Sequence, residues 1–156
     1  MLRPVYETAA DLAKEEAVAE ECVRCWTPRH GITAQRKLTI SYGLDRVFSY
    51  YDDTVALFAE VKIRDWAFGA GNGYWIALLK VLAARQLADL THLPTLLVAE
   101  FRDGSRHWVD FDRADPTRTF IGGRRDRGDP HDIEPMVTIP WPSWKPLELL
   151  LPEKLP

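Results

Sequence analysis

The chain has 156 residues, 46% of them hydrophobic and 28% charged, with a formal charge of −3. That is the size of one domain, and enough to bury a core without disulfide or metal staples. The acidic balance argues against non-specific coating of nucleic acid, and no apolar run reaches membrane-spanning length. Residues 1–8 lack the basic start and apolar run of a signal peptide, so the expected location is the cytoplasm.

Residues 8 to about 26 read as a helix, with Thr8 and Asp11 as a capping signal. Leu12, Glu16, Ala19, Val23 and Trp26 share one stripe, in which Glu16 is the odd member. Glu15, Glu20 and Glu21 read as solvent-side or boundary charges. Pro28 and Gly31 are expected to end the helix. Cys22 and Cys25 are the only cysteines, and zinc would need two more ligands at suitable spacing, so both are expected as free thiols. Leu38, Ile40, Tyr42 and Leu44 alternate with polar residues, which predicts a strand ending near Asp45.

Residues 54–64 predict a further strand. Val55, Leu57, Ala59, Val61 and Ile63 take one face, and Ala56, Phe58, Glu60, Lys62 and Arg64 the other. The first face is wholly apolar. The second turns from apolar to charged halfway along, as in a strand that leaves the core to line a cleft. Gly69, Gly71, Asn72 and Gly73 form a loop whose spacing matches no phosphate-binding motif. A helix is predicted from Tyr74 to about Thr91, with Ile76, Leu79, Ala83, Gln86 and Leu90 as its stripe. Residues 95–101 read as a strand covered on both faces, and Asp103-Gly104 turns the chain into a partner strand at 107–111. Beyond Asp112 the pattern weakens. Arg124, Arg125 and Arg127 sit in a polar loop with Asp126, Asp129 and Asp132. Residues 136–146 are rich in proline and tryptophan, which predicts an extended arm over 127–156 beside a domain over 1–126.

Glu60 and Lys62 carry the strongest chemical signal. Charges in a sheet interior are costly unless paired or bound to metal. Glu60 and Lys62 project to the same face, and Asp45 supplies a second carboxylate. Beside this stand plainer readings: a cross-strand ion pair for Glu60 and Lys62, a turn carboxylate for Asp45, and solvent-reaching side chains for Glu16 and Lys80. His30, His92, His107 and His131 share no ligand spacing. No serine lies in a nucleophile-elbow context.

The order helix, strands, Glu-x-Lys strand, helix, strand, with Asp45, Glu60, Lys62 and Glu16 placed along it, resembles the PD-(D/E)XK nuclease superfamily. Gly43-Leu44-Asp45-Arg46-Val47-Phe48 and Phe58-Ala59-Glu60-Val61-Lys62-Ile63-Arg64 are similar to its small, Holliday-junction-resolvase-like members. The resemblance covers roughly residues 8–112. The literal Pro-Asp is absent, since Leu44 precedes Asp45. It implies an α/β restriction-endonuclease-like core, a central mixed sheet flanked by helices in αβββαβ order. It also implies a metal-dependent DNA endonuclease. Asp45, Glu60 and the Val61 carbonyl would hold Mg²⁺ or Mn²⁺, and Lys62 would orient the attacking water. Glu16 would hold a metal-bound water or a second metal. Lys80, Arg64 and Arg85 are candidate phosphate contacts. A homodimer on DNA and a bacterial or phage source are expected. Two rivals remain open: an inactive nuclease-fold assembly subunit of a phage or mobile-element particle, with Trp141 and Trp144 anchoring a protein partner, and a nucleic-acid-binding module that does not cleave.

Overall fold

Residues 7–149 and 151 are described by this computed structural model. Helix α1 (Ala9–His30) opens on a reciprocal cap: the Thr8 side chain accepts from the Asp11 N–H, and the Asp11 carboxylate accepts from the Thr8 N–H. Gly31 ends it in the left-handed region, at φ 67°, with its N–H on the Thr27 carbonyl. Pro28 is accommodated in the last turn, so the helix runs four residues past the expected Trp26. Its buried side is Glu15, Val18, Ala19, Cys22 and Trp26. That is the predicted stripe turned by one position, which brings Glu15 inside and leaves Glu16 outside.

Strands β1 (Ile32–Lys37), β2 (Arg46–Tyr50) and β3 (Val55–Ile63) form an antiparallel meander. The strand expected over 38–44 is absent; Ile40–Tyr42 is a single 3₁₀ turn with Ile40 exposed. Strand β4 (Tyr74–Ala77) then leads directly into helix α2 (Leu78–Thr91). Beyond it come β5 (Thr95–Glu100), β6 (Arg106–Asp110), β7 (Thr119–Gly123), β8 (Ile133–Ile139) and β9 (Lys145–Pro146). The main sheet runs β1-β2-β3-β5-β6-β9, and its one parallel pair is β3 with β5, joined across α2. A smaller sheet runs β4-β8-β7. The architecture is therefore α/β, a mixed central sheet with two helices.

The two faces of the main sheet bury separate cores. Leu57, Ala59, Val61, Leu96 and Val98 pack with Val18, Cys22 and Trp26 of α1. Phe58, Leu97, Ala99 and Val109 pack with Val81 and Ala84 of α2. Glu60 and Lys62 continue the Phe58 face, which is how they come to lie beside α2. The α2 stripe predicted from leucine spacing faces outward instead, with Leu79 71%, Leu82 46% and Leu90 75% exposed. Smaller residues bring this helix close: a Cβ on Gly43 would lie 2.6 Å from the Ala83 Cβ.

The proline- and tryptophan-rich segment is not an extended arm. Strand β8 is the middle of the small sheet, and β9 closes the main sheet against β6. A division at residue 126 falls between two paired strands, β7 and β8. Trp141 and Trp144 join an aromatic group with Trp66, Phe68, Tyr74 and Phe101. The Trp141 indole N–H donates to the Ala70 carbonyl, and Trp144 is 6% exposed. These rings are spent on the chain's own core rather than offered to a protein partner. Trp144→Ala is expected to cost about 3–5 kcal/mol, as for other buried aromatics. Urea unfolding checks it; an unchanged midpoint would show that the segment does not brace the fold. Among the described residues no helix is long and apolar enough to cross a membrane.

Candidate active site

The β2–β3 ladder begins at Arg46, opposite Ala59. From Glu60 onward, β3 therefore has no β2 neighbour. Asp45, just before β2, fills that edge with its side chain: the Val61 N–H donates to its Oδ1 at 3.1 Å. The N–H and C=O of one extended residue face the same edge, so the Val61 carbonyl also looks toward Asp45.

Glu60 is 1% exposed and is held by two ammonium groups. Lys62 Nζ lies 2.9 Å from Oε1, and Lys80 Nζ, reaching down from α2, lies 3.1 Å from Oε2. Lys80 also donates to the Gly43 carbonyl at 2.6 Å. Burial weighs against the charge of Lys62, but the carboxylate and hydrogen bond of Glu60 outweigh it, and its pKa is raised. For Asp45, burial and then the Glu60 charge push the carboxyl up to about 7. The Glu60 charge thus weighs against ionisation of Asp45.

On α1 it is Glu15, not Glu16, that turns inward. Glu15 is buried, burial raises its pKa, and Lys62 and Glu60 both act on its charge. Glu16 is half exposed; it pairs with the buried Arg46 and accepts from Gln35 at 2.6 Å. That ties α1 to β1 and β2. The Arg46 hydrogen bond holds the Glu16 carboxyl below its usual range; burial opposes it, and the Gln35 hydrogen bond adds to it.

Arg64 donates from Nε to the Tyr74 hydroxyl at 2.8 Å and lies over its ring. It borders a cleft of about 550 Å³ beyond Lys62, lined also by Asp11, Lys14, Asp65, Trp66 and Arg124. Arg85 is elsewhere. It donates to the Ala114 carbonyl at 2.6 Å, clamping α2 to the turn after β6. The structure thus gathers Asp45, Glu60, Val61, Lys62 and Lys80, borders them with Arg64, turns Glu15 inward and Glu16 outward, and leaves Arg85 out. The signal for Glu15 was its place one residue from the assigned stripe.

Among the described residues, no group of three or more His, Cys, Asp and Glu side chains is spaced to hold a metal ion. Asp45, Glu60 and the Val61 carbonyl form a smaller, all-oxygen set. That set fits Mg²⁺ or Mn²⁺, since Mg²⁺ keeps several of its waters and needs only one or two protein carboxylates. The chemistry of the donor set makes the fit: the ligands are oxygens alone, and Asp45 is already held at the Val61 edge by its hydrogen bond.

The family described as "Phage putative PDDEXK endonuclease" matches residues 1–147. The chain belongs to this family. The match runs through β9. Among solved structures the chain is similar to Hjc, a Holliday junction resolvase from the archaeal hyperthermophile Archaeoglobus fulgidus. The TM-score is 0.58 over 88% of this chain and 92% of that one, at 13% identity, which shows a shared fold. No curated protein matches the sequence.

Proposed function

We propose that this PDDEXK endonuclease is a Mg²⁺- or Mn²⁺-dependent deoxyribonuclease working through Asp45, Glu60 and Lys62. The observation that carries the reading is Glu60, buried on a strand edge with Lys62 on one oxygen and Asp45 across the gap left by β2. Asp45, Glu60 and the Val61 carbonyl would hold the cation, which supplies activation of water and neutralisation of charge on the phosphate. Lys62, kept charged by Glu60, orients the attacking water and stabilises the charge that grows on the phosphoryl oxygens. Glu15 accepts a hydrogen bond from water at the edge of the site. Arg64, just past the end of β3, meets the substrate backbone in the cleft it shares with Lys14 and Arg124.

The nearest rival from sequence, an assembly subunit docked through Trp141 and Trp144, loses its anchor because both rings pack on the chain's own aromatic core. A homodimer belongs to the proposal, since one such site cuts one strand and duplexes and junctions have two; sedimentation of the whole chain tests it. Plasmid, linear, branched and single-stranded DNA incubated with Mg²⁺ or Mn²⁺ test the activity and rank its substrates. No cleavage of any of them by folded protein would remove the proposal.

The exchange of Glu16 for Glu15 has its own test. Glu15→Gln is expected to slow cleavage by roughly tenfold to a hundredfold, the lower part of the range for a positioned proton-transfer or water-holding group. Glu16→Gln should leave cleavage within about twofold and weaken the fold by about 1–3 kcal/mol, since the buried Arg46 loses its counter-ion but keeps an amide oxygen as acceptor. Cleavage rates of the two variants, read beside their urea midpoints, decide it; a reversed order would return the role to Glu16.

A further inference from the structure

Glu60 carries one more cation than neutralisation requires. Lys62 occupies Oε1 and Lys80 occupies Oε2. Lys80 is not a side chain that has merely fallen onto a nearby carboxylate. Its Nζ is pinned by a second acceptor, the Gly43 carbonyl at 2.6 Å, two residues before Asp45. Gly43 is left-handed, at φ 74°, and its approach to Ala83 holds that turn against α2. The fold has thus fixed an ammonium group on the carboxylate that, in the nuclease reading, must also hold a divalent ion.

We propose that Lys80 is a built-in counter-ion that weakens metal binding until DNA arrives. The inference rests on the nuclease reading. Without metal or DNA, Lys80 shares with Lys62 the neutralisation of a carboxylate that is almost fully buried. A divalent ion held by Asp45 and Glu60 would share the Glu60 carboxylate with the Lys80 charge and be repelled by it. A phosphodiester entering the site brings negative charge that both cations can share. Metal and DNA should therefore bind with positive coupling, and that coupling is reciprocal. Lys80 acts through Glu60 and is a positioning residue.

The test is Mn²⁺ affinity of the whole chain, measured by paramagnetic resonance of free Mn²⁺, with and without uncut DNA. The DNA carries a non-hydrolysable backbone. Lys80→Met and Lys80→Gln are expected to bind Mn²⁺ roughly tenfold to a hundredfold more tightly without DNA, given one fewer positive charge at such short range. DNA should improve Mn²⁺ affinity less in these variants than in the unmodified protein. Lys80→Arg, which keeps the charge, should behave as the unmodified protein does. If Lys80 only holds Glu60 in place, the neutral variants would bind Mn²⁺ equally or more weakly, and the proposal fails. Lys80→Gln keeps a polar, hydrogen-bonding side chain without the charge, so agreement between it and Lys80→Met assigns the effect to the charge. No Mn²⁺ binding by the unmodified protein even with DNA present would overturn both this inference and the nuclease reading. Binding that is indifferent to Lys80 would overturn this inference alone.

Discussion

Lys62→Met is expected to cut DNA roughly a hundredfold to a thousandfold more slowly, the usual cost of removing one preorganised donor from a charge-developing site. The methionine keeps most of the length of the side chain and removes its charge. Glu60 is not stranded by the change, because Lys80 remains 3.1 Å from Oε2. The loss of stability should therefore fall well short of the about 3–5 kcal/mol that follows when a buried charge loses its partner. Glu60→Gln is a less clean probe, since it leaves two ammonium groups without their shared carboxylate. Cleavage rate and urea midpoint, measured together, check the prediction. A Lys62→Met protein that is folded and cuts at the unmodified rate would end the role assigned to Lys62. A variant that fails to fold would show that Lys80 cannot support Glu60 alone.

The residues of β3 were legible because a strand has only two faces. Once Val55 to Ile63 were assigned apolar neighbours, Glu60 and Lys62 had to share the other face, and a carboxylate there needed a reason. Helix α1 was less legible. Leu12, Glu16, Ala19, Val23 and Trp26 make a plausible stripe, but Glu15, Ala19, Cys22 and Trp26 make one too, and both contain Ala19 and Trp26. The choice is made elsewhere, by the buried Arg46 on β2, which takes Glu16 as its counter-ion. Helix α2 failed for a related reason: leucines marked its apparent apolar side, whereas close packing on the sheet selected Val81 and Ala84. Pairings between distant segments left no local trace. Tyr74–Ala77 continues the helical pattern in sequence, yet becomes a strand because it pairs with Met136 to Ile139. Prolines at 135, 140 and 142 made the region around β8 look irregular, although Pro135 itself lies within the strand, opposite Ile121. The grip of Lys80 on Gly43 was hidden for the same reason, being a contact across 37 residues.

Asp45→Asn is expected to abolish metal-dependent cleavage and yet make the metal-free protein more stable above neutral pH. The Asp45 carboxyl ionises at about 7 in the folded chain, raised from its ordinary 3.8 by burial and by Glu60. Between those two values the unfolded chain binds fewer protons than the folded one. Stability therefore falls as pH rises through that interval, and the full penalty is present above about 7. Asparagine does not ionise, and its side-chain oxygen can still accept the Val61 N–H. At pH 8 in EDTA the variant should be more stable by about 2–4 kcal/mol, with a smaller advantage at pH 5. For a chain of this length, that is a rise in thermal midpoint of roughly 5–15 °C. Metal reverses the order. A cation on Asp45 must displace its proton, so Mn²⁺ affinity of the unmodified protein should climb with pH up to about 7 and then level. Thermal midpoints at pH 5 and pH 8, with EDTA and with Mn²⁺, read all of this in one experiment. A variant with no stability advantage at pH 8, or with the same advantage at both pH values, would mean that Asp45 is an ordinary surface carboxylate. The strain at this position is then not what prepares the site for a cation.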